Sequence, residues 1–106
     1  MRLFQFIRQP DINEAIALFQ NTESAILLDV RTPQEYQTGH IPGSFNLPLA
    51  LLDNADEIID NEDTPIFVYC QSGNRSRQAV ARLAAMGYSN VKNIGGIATY
   101  SGKVER

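Results

Sequence analysis

The chain has 106 residues, 43% of them hydrophobic and 20% charged, with a net charge of -3. That length can bury one core but not two, so a single domain is expected. An acidic balance with no basic run argues against nucleic acid as a partner, and no apolar stretch is long enough to span a membrane. The opening segment from Met1 to Arg8 is too short and too polar for a signal sequence, which points to the cytoplasm. One cysteine excludes an internal disulfide, one histidine beside it offers no metal cluster, and no motif nominates a cofactor.

In chain order the pattern alternates strands and helices, which predicts an α/β domain with a mostly parallel sheet. Leu3 to Phe6 reads as a short first strand. A helix starts at Pro10-Asp11-Ile12-Asn13-Glu14, with Asp11 as N-cap and Glu14 closing a capping box, and Ile12, Ile16 and Phe19 share its apolar face. Ala25 to Val30 is a continuous apolar strand broken only by Asp29. Thr32 then caps a short helix that has Pro33 at its first position, with Glu35 on its surface and Tyr36 toward the core. Ser44 to Leu47, bracketed by Pro42 and Pro48, reads as an edge strand. Leu49 to Ile59 is a weak helix with an acidic flank, Pro65 to Tyr69 a central strand, and Val91 to Ile94 the last strand, after which Gly95-Gly96 opens a short final helix. No repeat or linker interrupts the series.

The chemistry concentrates where Ile66-Phe67-Val68-Tyr69 meets Cys70-Gln71-Ser72-Gly73-Asn74-Arg75-Ser76. A lone cysteine is commonly a small buried hydrophobe. Cys70 instead ends its apolar run and is followed by a polar, glycine-containing segment that cannot continue a central strand. Beyond it, residues 76–86 are rich in helix formers, with Val80, Leu83 and Ala84 expected on the buried face. The loop therefore leads into a helix N-terminus, whose unpaired N–H groups and dipole favour an anion, whether a thiolate or a charged substrate. Gly73 supplies backbone freedom and Arg75 a planar cation.

Ligands in parallel sheets gather at the carboxyl ends of strands, where both Cys70 and Asp29 fall. Asp29 and Arg31 are candidates for orienting the loop, although an ion pair that fixes the backbone is the preferred reading, because a carboxylate beside the thiolate would raise its pKa. His40 lies in the turn-like Gly39-His40-Ile41-Pro42-Gly43 and is not favoured as a base for the thiol, since a loop dipole can supply the thiolate alone. Tyr100 reads as a cap on the core.

Cys70-Gln71-Ser72-Gly73-Asn74-Arg75-Ser76 resembles the active-site loop of the rhodanese family of sulfurtransferases. Leu27-Leu28-Asp29-Val30-Arg31 and Gly39-His40-Ile41-Pro42-Gly43-Ser44 resemble that family's upstream signatures, and Gly95-Gly96 with Tyr100 resembles its closing segment. The resemblance spans nearly the whole chain. It implies one rhodanese-like domain over residues 1–106, with about five mostly parallel strands flanked by helices on both faces. Cys70 would carry sulfur as a persulfide, with Gln71, Ser72, Gly73, Asn74, Arg75 and Ser76 holding a small anionic donor such as thiosulfate. The acceptor would be a thiol or a protein.

Two alternatives stay open beside that enzyme. One is a relay module that takes persulfide sulfur from a partner protein. The other is a Cys-dependent phosphatase or arsenate reductase, disfavoured because the similar phosphatase loops carry one more residue between cysteine and arginine. Nor does any motif nominate the general acid that phosphate-ester hydrolysis needs. Gln71 stands where some thiosulfate-preferring relatives have a basic residue, and Tyr100 where many have tryptophan.

Overall fold

The computed structural model describes residues 11–106, so the expected strand at Leu3 to Phe6 lies outside the described residues. Helix α1 spans Ile12–Gln20 and begins with the expected capping box: Asp11 accepts from the Glu14 N–H, and Glu14 accepts from the Asp11 N–H. Its buried face is Ile12, Ala15 and Ile16, and Phe19 meets Phe67 edge to face at 5.7 Å. Strand β1, Ile26–Asp29, leads into α2, Pro33–Thr38, which has the expected Thr32 cap and Pro33 in its first turn.

Among the described residues strand β2, Ser44–Asn46, pairs only with β1 and leaves Phe45 half exposed, as suits an edge. The segment Leu49–Glu57 forms 3₁₀ turns broken at Leu51 instead of one α-helix. Asp53, Asn54 and Asp56 are weak helix formers, which leaves this segment little intrinsic preference for a regular α-helix.

Strand β3, Ile66–Cys70, is buried along its whole length and sits between β1 and β4, Val91–Gly96. The described sheet has four strands in the order β2-β1-β3-β4, and every pairing is parallel. Side chains alternate across it. Leu28, Val30, Ile66, Val68 and Cys70 pack with the 3₁₀ segment and with helix α3, Asn74–Ala85, on one face. Leu27, Phe67 and Tyr69 pack with α1 on the other.

Two local expectations are corrected. The buried face of α3 is Ser76, Ala79 and Leu83; Val80 is half buried and Ala84 is exposed. The helix is turned because Ser76, a polar residue, is drawn inward by hydrogen bonds to Gly73 and Asn93. Strand β4 runs two residues past the expected Ile94 to Gly96, and Gly96 then caps the final turn Ile97–Thr99, as expected of Gly95-Gly96. The register jumps from Val68 opposite Asn93 to Tyr69 opposite Gly95, which makes Ile94 the extra residue of a β-bulge.

Candidate active site

Cys70 is the last residue of β3 and only 1% exposed, so it forms the floor of the loop and not its rim. The chain turns over it through Gly73, which at φ 104° adopts the left-handed conformation that glycine tolerates and serves as N-cap of α3. That turn aims the Gly73 N–H at the Cys70 Sγ, 3.0 Å away. The Ser76 hydroxyl, from the first turn of α3, lies 3.5 Å from the same sulfur. Burial pushes the Cys70 thiol up, but hydrogen bonding from the Ser76 side chain and from the Ser76, Gly73 and Ser72 backbone outweighs it, and the pKa falls below the ordinary value.

Ser76 is itself held. Its Oγ lies 3.0 Å from the Gly73 carbonyl and 2.7 Å from Asn93 Oδ1, while Asn93 also accepts from the Gly95 N–H at 2.9 Å. Asn93 thus ties the bulge of β4 to the cysteine loop. The sequence reading missed it, although an Asn two residues before Gly-Gly at a strand end is a signal for a bulge. Gly96 is needed for close approach, since a Cβ there would meet the Gln71 carbonyl oxygen at 2.3 Å.

Arg75 is committed elsewhere than expected. Its guanidinium forms two parallel hydrogen bonds to Glu35, at 2.7 and 2.9 Å, joining α3 to α2. Glu35, expected on the helix surface, is held down at about 2 by that bond first, and by further bonds from Thr32 in the capping box against the opposing effect of burial. Arg31 is buried on Asp29 at 2.8 Å, donates to the Gly39 carbonyl at 2.7 Å and reaches Gln71 Oε1 at 3.4 Å. The preferred reading of this pair as a backbone-fixing ion pair fits that geometry. Burial alone would lower the Arg31 pKa, but the hydrogen bond and charge of Asp29 raise it.

His40 is engaged away from the thiol. Its Nδ1 lies 2.9 Å from the Tyr36 carbonyl, its ring stacks on Tyr36 at 3.7 Å, and its backbone pairs with Glu105. Tyr100 packs on the core from the α1 side. Gln71, Ser72 and Asn74 are exposed along the loop's outer edge.

Residues 11–103 match the description of a rhodanese-like domain. The chain belongs to the rhodanese family. It is 42% identical over 72 residues to the thiosulfate sulfurtransferase PspE of Escherichia coli, covering 66% of this chain and 68% of that protein. It is 39% identical over 80 residues to the adenylyltransferase and sulfurtransferase uba4 of Ogataea parapolymorpha, covering 74% of this chain but 21% of that longer protein. A solved structure of a rhodanese with anions from E. coli superposes with a TM-score of 0.73 at 31% identity, over 77% of this chain and 98% of that one. Family and relatives support sulfur transfer, and a rhodanese domain with one cysteine is consistent with a persulfide intermediate. Among the described residues no helix is long and apolar enough to cross a membrane.

Proposed function

We propose that residues 1–106 form one cytoplasmic rhodanese-like domain that moves sulfane sulfur through a persulfide on Cys70, from a donor such as thiosulfate to a thiol or protein acceptor. The observation that carries this reading is the Cys70 sulfur under the Gly73 N–H and beside the Ser76 hydroxyl, with its pKa lowered despite burial. A thiolate is the nucleophile the reaction needs, and these contacts favour it over the thiol.

With thiosulfate, the Cys70 thiolate attacks the outer sulfur. A new S–S bond forms as the bond to the sulfonate sulfur breaks, and sulfite leaves with the bonding pair. The persulfide on Cys70 then gives its outer sulfur to the second nucleophile, which restores the thiolate. No step needs an outside oxidant or a general acid for a leaving alkoxide, which separates this chemistry from ester hydrolysis.

The test is intact mass spectrometry of the purified chain after thiosulfate, beside thiosulfate:cyanide and phosphatase assays. One added sulfur that blocks alkylation of Cys70 and is removed by cyanide is expected. Cys70→Ser should abolish the adduct while leaving the circular dichroism unchanged, since a hydroxyl fits the site but forms no persulfide. Sulfur transfer retained in that variant would end the proposal.

A further inference from the structure

All four described strands run parallel, so the segments leaving their carboxyl ends lie at the end of the sheet that holds Cys70. Residues 47–52 and 97–100 carry no charged side chain. Residues 29–35 and 71–76 carry two cations, Arg31 and Arg75, and two anions, Asp29 and Glu35. These four form two closed pairs, Arg31 with Asp29 and Arg75 with Glu35. Arg77, the residue directly after Ser76 in α3, is exposed to solvent. Arg77 aside, the charged side chains of these described segments therefore cancel in pairs.

The donors that face the sulfur are the Gly73 N–H and the Ser76 hydroxyl, with the Ser72 and Ser76 backbone beside them, and all of these already favour one negative charge on Cys70. A thiosulfate dianion adds two more charges where both arginines are already paired with a carboxylate. A thiol-bound sulfane sulfur, R–S–S–H, brings at most one. Its transfer needs no cation: the Cys70 thiolate attacks the outer sulfur, the Sγ–S bond forms as the donor S–S bond breaks, and R–S⁻ leaves with the electron pair while the proton stays on the transferred sulfur. Charge and oxidation level balance.

We infer that the donor class this site favours is an organic persulfide, and that Glu35, by holding Arg75, is the residue that sets this preference against thiosulfate. The inference rests on sulfur transfer through Cys70. Glu35 is ionised through the working range, since Arg75 holds its carboxyl at about 2. The guanidinium therefore remains paired at neutral pH, and removing the carboxylate charge is what would release it toward an incoming anion.

The experiment follows Cys70 persulfidation by rapid quench and intact mass, with thiosulfate in one arm and cysteine persulfide in the other. Each rate is divided by that of the same donor with free cysteine. The native chain is expected to favour cysteine persulfide. Glu35→Gln keeps the capping box, because glutamine serves at that position. In that variant the thiosulfate rate should rise about tenfold, the lower end of what one charge-assisted hydrogen bond supplies, and should fall with added salt. The cysteine persulfide rate should not change. Adding Arg75→Ala to Glu35→Gln should remove the gain. A native chain that favours thiosulfate, or a Glu35→Gln variant with an unchanged or slower thiosulfate rate, would overturn the inference while leaving sulfur transfer intact. No adduct from either donor would overturn sulfur transfer itself.

Discussion

The sulfur of Cys70 is the point where opposed effects meet: burial disfavours the thiolate, and hydrogen bonds from Ser76, Gly73 and Ser72 favour it by more. Ser76 is the side chain in that set, so its contribution can be removed without rebuilding the backbone. Ser76→Ala should raise the Cys70 pKa, because a bond to the charged form is lost while burial stays. A net hydrogen bond of about 1 kcal/mol corresponds to somewhat under one pH unit. The inflection in an alkylation-rate profile should move to higher pH by roughly that amount, toward the free-cysteine value of about 8.5. An unmoved inflection would assign the whole effect to the loop amides.

Elements meet the site in pairs, and the tie between α2 and α3 is the Glu35–Arg75 pair. The Glu35 carboxyl drops from 4.5 to about 2, so its stabilisation is present above the ordinary value and is lost as pH falls through that window. Both side chains are about a third exposed, which limits the pair to about 1 kcal/mol or less. The melting temperature of the native chain should exceed that of Glu35→Gln at neutral pH, and the gap should close toward pH 2; a gap that does not change with pH would exclude this pair as its source. The capping box at Asp11/Glu14 and the Thr32 cap were legible in the sequence because their partners lie three residues on, whereas Glu35, read as helix surface, was not seen to close the second box. The strand-to-loop break at Cys70 was legible too. The partner of Arg75, 40 residues away, and the contact of Ser76 with Asn93, 17 away, were not. Both depend on which helix ends the parallel register brings together, and the inward turn of α3 follows from the second of them.

At the scale of the whole molecule the sheet divides the core into two faces, and the nucleophile belongs to one of them. Cys70 shares its cluster with Leu83 of α3, while Ile12 of α1 lies in the cluster on the opposite face. Leu83 and Ile12 are 0% and 2% exposed, so truncation of either to alanine leaves a cavity and should cost about 2–5 kcal/mol. For a domain of this size that lowers the melting temperature by at least about 10 °C. Because β1 and β3 contribute alternate residues to both clusters, neither face can melt while the other keeps its strands. Both variants should therefore unfold in one transition that coincides by far-ultraviolet circular dichroism and tyrosine fluorescence. Their chemistry should differ: Leu83→Ala loosens the helix whose first turn carries Ser76, and should slow Cys70 alkylation below the melting range, whereas Ile12→Ala should not. Equal effects on alkylation, or two separate transitions, would show that the sheet does not insulate the thiol from the far face.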